Sequence, residues 1–463
     1  MKKFIISALL GATTCNLLAG GYLTNTNQSI NFLRNPSRDA SIGIDGVYYN
    51  PAGVALLGEG WHLQFNWQTV HQHRDTWSDY QMPGLGYDHL FKYNTSNPVT
   101  EQSNFTRKSK GRVNVPIQPS LFLAYNKDRW SFQFGFGFIG GGGECEFENG
   151  VGSFEYLAAA SGMYALSAKG LSMTGYDLET YMKGRSYDLG FTLGAAYKII
   201  GGLSGSIGLR GIYATNNYSG YLRNIQYHTN AGITVPGTDL SLDCDQSGFG
   251  IAPIIGLNYK VNDHFNVAAK YEFRTAIEVK SSAHNNDAFN AIAATNAAFS
   301  SYLDDAKTRT DLPALLAVGV QYSPIKQLRI NAGYHHYFDT DAKQWADIDL
   351  CNTNEITAGV EYDLTDRLEV SGGYQKTMYD QPSDFHSDTN FTLDSYSLGI
   401  GLGYRLSKKV KLNAAYFQTI YDNYNQEAAL STAVNGQAMQ IGTKYVTYSR
   451  TNRVIGVGID IDF

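Results

Sequence analysis

Trp61-His62-Leu63-Gln64-Phe65-Asn66-Trp67-Gln68 alternates without a fault, with Trp61, Leu63, Phe65 and Trp67 on one face and His62, Gln64, Asn66 and Gln68 on the other. Successive side chains of a strand point to opposite sides, so this stretch is greasy on one face and polar on the other. In a soluble sandwich the greasy face would be core. Here the pattern returns over segments of roughly ten residues, again and again to the last residue, with tight turns at one end only. That is the pattern of a transmembrane β-barrel with lipid outside and a polar lumen inside.

The bulk numbers agree. Of 463 residues only 17% are charged, 33 are Tyr, 48 are Gly and 11 are Pro. The mean hydropathy of −0.27 is not that of a helical membrane protein. After the N-terminus no run approaches the roughly 18 apolar residues that a spanning helix requires. A net charge of −6 gives a nucleic-acid partner no support.

Fourteen strands are expected, near 61–71, 116–126, 129–139, 186–198, 203–220, 247–260, 264–279, 312–323, 327–338, 354–363, 367–377, 391–406, 409–420 and 447–463. Even strands are followed by short turns such as Lys127-Asp128, Gly201-Gly202 and Asn262-Asp263. Odd strands are followed by long loops, near 72–115, 140–185, 221–246, 280–311, 339–353, 378–390 and 421–446. Short periplasmic turns and long outer loops are the polarity of an outer-membrane barrel of a Gram-negative bacterium, and an even count puts both ends in the periplasm.

Energy settles the faces. In 264–279, Phe265, Val267, Ala269, Tyr271 and Phe273 alternate with Asn266, Ala268, Lys270, Glu272 and Arg274. Turning the strand over would put Lys270 and Arg274 in lipid, at about 2–4 kcal/mol each near the midplane. The polar set therefore faces the lumen, and by the same argument so do Arg210, Arg329, Glu361, Glu369 and Lys411. In the last strand Ile455, Val457, Ile459, Ile461 and Phe463 face out, and Gly456, Gly458, Asp460 and Asp462 face in. A terminal aromatic, Phe463, after an alternating strand resembles the signal read by the barrel-assembly machinery.

Before the first strand the chain changes character. Residues 1–19 read as a signal peptide: Lys2 and Lys3, then an apolar run from Phe4 to Leu10, then Leu17-Leu18-Ala19 ahead of Gly20. Ala12-Thr13-Thr14 before Cys15 is a poor lipoprotein box. The next segment is too irregular for a strand or a long helix, and it closes on Gly46-Val47-Tyr48-Tyr49-Asn50-Pro51-Ala52-Gly53. On its own this closing stretch reads either as a turn into the first strand or as the end of a compact unit.

Several motifs carry no chemistry. Gly135-Phe136-Gly137-Phe138-Ile139-Gly140 matches GxGxxG, but Gly141-Gly142-Gly143 follows where a dinucleotide fold needs a helix. Trp130, Phe132, Phe134, Phe136 and Phe138 make an outward aromatic row, so these glycines are lumen-side positions open to a close approach. Gly399, Gly401 and Gly403 form the same inward column. Cleavage of the signal leaves Cys145, Cys244 and Cys351, an odd number placed in predicted loops, with no CxxC. One disulfide or three loop thiols both fit. His71-x-His73 lacks a third metal ligand. Asp339, Asp341, Asp347 and Asp349 crowd one outer loop and read as calcium ligands or as a solvated acidic face. There is no G-x-S-x-G. No enzyme activity, cofactor or metal is indicated.

Two loops have helical character. One runs through Phe154, Tyr156, Leu157, Met163, Tyr164 and Leu166, and the other covers 287–306. Their apolar surface either packs on the barrel rim or forms a landing surface for a hydrophobic ligand.

Taken together the chain resembles the FadL/TodX-like outer-membrane transporters of hydrophobic compounds. The residues that carry the resemblance are Asp45 to Gly53, Val115-Pro116-Ile117-Gln118-Pro119, Asp311-Leu312-Pro313 and the terminal Phe463. The resemblance implies three domains: a signal peptide (1–19), a lumen plug (20–58) and the barrel (59–463). It implies that Tyr49, Asn50, Pro51, Ala52 and Gly53 belong to the plug and its gate. It further implies that strand 3 is kinked near Gly135, Gly137, Gly140 and Gly141, leaving a lateral gap into the bilayer. Glycine tolerates such a distortion. The loop 154–166 would then match an outer capture groove. Ligands would be hydrophobic molecules, long-chain fatty acids foremost, moving without ATP or a proton gradient, in a monomer embedded among lipid and lipopolysaccharide. A carboxylate head would seek an inward cation, and Arg210, Lys270, Arg274 and Arg329 are candidates unless paired with Glu272, Glu361 or Glu369. The alternative function is a barrel that binds cargo for protein secretion; an open diffusion pore is disfavoured by the plug.

Overall fold

The computed structural model describes residues 25–463, apart from 297, 344–348 and 435–436. The expected signal (1–19) and the first plug positions (20–24) lie outside the described residues. The wall is a closed antiparallel barrel of fourteen strands. They are β1 (Gly60–Gln81), β2 (Arg107–Lys127), β3 (Trp130–Phe147), β4 (Met173–Ile200), β5 (Leu203–Thr229), β6 (Leu240–Lys260) and β7 (Phe265–Glu272, resuming at Glu278–Ala283). Then follow β8 (Ala314–Ile325), β9 (Leu328–Phe338), β10 (Asn354–Asp363), β11 (Leu368–Met378), β12 (Ser395–Arg405), β13 (Val410–Tyr421) and β14 (Gln437–Asp462). Each pairs with its neighbour in sequence, and β1 on β14 closes the ring from His62↔Asp462 to Gln81↔Thr443. At the seam the amide of Trp61 donates to the carbonyl of Phe463 at 2.8 Å, and the amide of Phe463 donates back at 3.0 Å. Gly60 sits here at φ +109°, where a side chain would meet the Phe463 carbonyl.

The faces are as the alternation requires. Trp61, Phe65, Trp67, Phe265, Val267, Ile455 and Val457 are exposed on the outer face, whereas Gln64, Asn66, Asn266, Lys270 and Glu272 are buried in the lumen. Ile400, on the outer face of β12, tests this. Ile400→Lys should destabilise the barrel by about 2–4 kcal/mol if it lies near the midplane, read by reversible urea unfolding in lipid vesicles. A cost near zero would place that face in the lumen.

The strands are longer than the alternation suggested. β4 has 28 residues and β5 has 27, against the roughly ten that cross a bilayer. Beyond the bilayer the outer residues turn polar, so the greasy half of the pattern stops while the hydrogen-bond ladder continues. Much of the expected loops 72–115, 140–185 and 221–246 is therefore strand, and Val115–Pro119 lies in the middle of β2 rather than at its start. Cys145 and Cys244 are corrected likewise: they are buried strand residues of β3 and β6, and all three cysteines are free. Among the described residues a further strand, Tyr424–Val434, extends the outer part of β14 as a hairpin, and two three-residue strands, Thr234–Pro236 and Lys307–Arg309, pair at the outer ends of β5 and β7.

Inside the ring sits the N-terminal segment, with three short helices, α1 (Ile30–Arg34), α2 (Gly46–Tyr49) and α3 (Pro51–Val54). Ser29 caps α1 by accepting from the Phe32 amide at 3.0 Å, and Asn50 caps α3 by accepting from the Gly53 amide at 3.1 Å. Residues 28–41 and 44–50 are buried. They fit because the facing wall is glycine. A Cβ on Gly401 would lie 2.8 Å from the Cβ of Arg34, one on Gly319 2.7 Å from the Cβ of Asp39, and one on Gly399 would overlap the Leu33 carbonyl.

Candidate functional site

Ions and wall amides hold this plug in place. Arg38 bonds Asp45 at 2.8 Å and Glu361 at 2.5 Å. Arg34 pairs with Glu369, and Arg329 reaches Glu361 at 3.0 Å, Asp363 at 3.0 Å and Glu369 at 2.8 Å. His335 bridges Asp39 and Glu355 at 2.9 Å each. Plug carbonyls are taken by wall donors: Tyr48 by Lys270 (2.7 Å), Pro51 by Gln133 (2.8 Å), Ala52 by Ser204 (2.7 Å) and Val54 by Asn126 (2.8 Å). Asn50 donates to Asn258 at 2.7 Å. Tyr49 stacks on Phe32 at 5.5 Å, and its hydroxyl donates to the Thr26 carbonyl at 2.6 Å.

The wall has one break beside this plug. Going up β2 on β3, the register runs to Leu121↔Phe136 and resumes only at Val113↔Cys145. Residues 114–120 and 137–144 have no ladder partner across that interval. Both strands contribute. β2 carries Pro116 and Pro119, which cannot donate to a ladder. β3 carries Gly141 at φ +84° and Gly143 at φ +78°, and its register on β4 slips twice, between Phe138 and Gly143. The plug covers the break from inside. The amide of Asn25 donates to the Ile139 carbonyl at 2.5 Å, the side chain of Gln28 donates to Phe138 at 2.8 Å, and Ser120 donates to the Gln28 carbonyl. Gly135 and Gly137 are the close approaches: a Cβ on Gly135 would be 3.2 Å from Val47, and one on Gly137 would overlap the Gln28 side chain. Gly140 lies against Asp188.

The four cations expected to await a head group are otherwise engaged. Arg210 binds Glu272 at 2.5 Å and lies over the Tyr48 ring at 4.8 Å. Lys270 binds Glu272 at 2.6 Å. Arg329 is held by the wall carboxylates Glu361, Asp363 and Glu369. Arg274 does not face the lumen core. It sits in the interruption of β7, 38% exposed, paired with Asp311 at 3.4 Å. Arg210 and Lys270 meet the plug at Tyr48, whereas Arg329 acts on it only through Glu361 and Glu369, which also hold Arg38 and Arg34.

Above the plug lies a lumen cavity of about 130 Å³ that runs from Asn25–Asn27 and the Gly141–Gly142 kink to the far wall. Its cations are Arg74 of β1 and Arg450 of β14, which face each other directly in the ladder. Neither makes an ion pair with a carboxylate among the described residues. Arg74 is buried, lies over the Phe391 ring at 4.6 Å and donates to the Phe391 carbonyl at 3.4 Å. Arg450 lies over Tyr421 at 4.9 Å, and its Nε is buried without a protein partner. Sequence reading missed Arg74 because it ended β1 at residue 71, and did not single out Arg450 although the expected strand 447–463 contained it. The signal was there: Gln72, Arg74, Thr76 and Ser78 continue the inward parity of Gln64 to Gln68, and all four are buried.

The loop after β11 folds inward over this cavity, with Phe385, Phe391 and Leu393 buried. Its Asp388 accepts from the Ser153 amide at 2.8 Å, at the start of α4 (Gly152–Ser167). Burial pushes the Asp388 carboxyl above its ordinary range and pulls the His386 imidazole down to about 4. Helix α4 is the expected apolar loop. Phe154 and Leu157 line an apolar groove of about 40 Å³ with Leu222, Leu242, Phe289 and Phe299, the last two near α5 (Asp287–Ala293). Tyr156, Met163 and Leu166 are instead buried beneath, in a cluster with Tyr80 and Phe91, and Tyr164 is exposed. No cluster of metal ligands occurs among the described residues.

A family model described as outer membrane protein transport protein (OMPP1/FadL/TodX) matches residues 185–463. Among solved structures the chain is similar to a Pseudomonas aeruginosa FadL homologue, with a TM-score of 0.66 at 12% identity over 97% of this chain and 100% of that one. It is similar to the P. putida toluene transporter TodX, at 0.57 and 14% over 91% and 94%. The Ralstonia pickettii toluene transporter TbuX gives 0.54 and 16% over 95% and 99%. At such identities the likeness is one of fold. No curated protein matches the sequence.

Proposed function

Because the chain belongs to the outer membrane protein transport protein family (OMPP1/FadL/TodX), we propose that it carries hydrophobic molecules, long-chain fatty acids foremost, passively across the outer membrane and releases them sideways into the bilayer. The family is one of outer-membrane transporters of hydrophobic compounds. The finer reading rests on one observation: the break between β2 and β3 opens beside the lumen cavity and is closed by plug residues Asn25 and Gln28. Capture occurs in the groove of Phe154 and Leu157, driven by about 0.8 kcal/mol for each CH₂ withdrawn from water. The ligand then enters the cavity. Movement of the 20–58 plug, whose closing stretch Tyr49 to Gly53 is bound to β3, β5 and β6, frees the gap around Gly135, Gly137, Gly140 and Gly141. Asn25 and Gln28 hold β3 carbonyls that the unpaired β2 backbone cannot reach, so their release costs hydrogen bonds but no packing of the wall.

A tether tests the route. Gln28→Cys with Gly137→Cys, in a background with the native cysteines replaced by Ala, pins the plug to β3. Uptake of radiolabelled oleate should stop under oxidation and recover with reductant. Uptake indifferent to the tether would rule out lateral exit.

A further inference from the structure

We infer that Arg74 and Arg450 form a binding site for a phosphate dianion, which takes a phosphomonoester head group in preference to a single carboxylate. This deepens the proposed function and rests on the lumen being a ligand path. Residues directly opposite in an antiparallel pair carry their Cβ atoms about 5 Å apart, and like charges placed so repel. A barrel has no need to set two arginines together in the ladder. By contrast Arg38, Arg210, Lys270 and Arg329 all hold carboxylates in this lumen. At Arg74 and Arg450 the faces of Phe391 and Tyr421 are the neighbours instead. Aromatic faces shape and desolvate the pair without neutralising it.

The carboxylate on the cavity lining, Glu355, is spent. Its Oε2 accepts from Tyr337 and bonds His335, and its Oε1 accepts from Gln375 and Thr377. The surface around the arginines is polar rather than greasy, with Thr392 Oγ1 buried and without a protein partner. Two guanidinium forks with a hydroxyl at hand suit a tetrahedral oxyanion carrying two charges. A monocarboxylate would neutralise half the site. The acyl chain of a lipid, where present, would lie toward Phe32, Phe417 and Val454, the apolar side of the same cavity.

The test uses the full-length barrel purified in a maltoside detergent, with affinities measured by calorimetry for 1-oleoyl lysophosphatidate, oleate and inorganic phosphate. Lysophosphatidate should bind at least about tenfold more tightly than oleate, as expected for a second charge-assisted contact. Arg74→Gln with Arg450→Gln should erase that preference: both ligands weaken, and lysophosphatidate loses at least about tenfold more affinity than oleate. The paired Lys substitutions, which keep both charges, should retain part of it. Heat-modifiable migration on gels confirms that each variant is folded. Phosphate displacing lysophosphatidate at similar concentrations identifies a free phosphate as the natural occupant; phosphate failing to do so identifies the lipid. Equal affinity for oleate and lysophosphatidate, or a preference that survives the Gln pair, overturns the assignment. A preference without tether-sensitive uptake would remove the lateral route and leave the site standing; the reverse removes only the site.

Discussion

Arg38→Ala is expected to loosen the plug by about 3–5 kcal/mol, the cost of stranding a buried partner of an ion pair. Asp45 is buried and bonded to Arg38 through both oxygens, at 2.8 and 3.1 Å. Glu361 would keep Arg329 and Asn35, so the stranded charge is chiefly that of Asp45. The wall does not depend on Arg38: its ladder closes through β1 and β14 without the plug. The loss should therefore appear in the plug alone. Amide exchange in residues 30–54 should accelerate by about 10²–10³-fold, while the wall strands stay protected. Arg38→Ala combined with Asp45→Asn should recover much of the loss. Exchange unchanged in the single variant would mean that the plug is held by its packing and backbone contacts, not by its ions.

Gly399→Val should do by sterics what Arg38→Ala does by charge. The position faces inward on β12, and a Cβ there would overlap the backbone carbonyl of Leu33, with Phe417 at 3.2 Å on the other side. A backbone oxygen cannot change rotamer, so the strain exceeds the roughly 1–3 kcal/mol of ordinary overpacking. Displacement of α1 is the cheaper response than opening a closed ladder. In planar bilayers this variant should pass ion current where the parent is silent. Gly372→Val, whose Cβ position meets only ordinary contacts beyond 3.5 Å, should leave the channel closed. A Gly399→Val barrel that stays closed would show that the plug shifts within the lumen rather than leaving it.

These outcomes depend on features of unequal legibility. The lumen face of β7 could be read from Lys270 and Glu272, because a charge in lipid has a definite cost. The pairing of Arg210 with Glu272 could not, since they lie on different strands and only the ring brings them together; Lys270 and Glu272, two positions apart on one strand face, are neighbours locally. Helix α4 was visible in its run of apolar and small residues, yet which side of it turns outward was not. Phe154 and Leu157 reach the groove and Tyr156 does not, because neighbouring strands β5 and β6 decide where apolar cover is available.

Alternation alone determined the fourteen-strand wall, its inward and outward faces and the glycine columns that leave room for a plug. Period-two burial is a local property, and a bilayer penalises every error in it. The resemblance carried by Asp45 to Gly53 pointed to the plug and to a distorted β3. Tertiary structure alone decided how far the strands run beyond the bilayer, where β2 and β3 part, and which lumen arginines lack a carboxylate. Register between strands and the meeting of Arg74 with Arg450 across some 375 residues arise only when the ring closes, and no window of sequence contains both sides of such a contact.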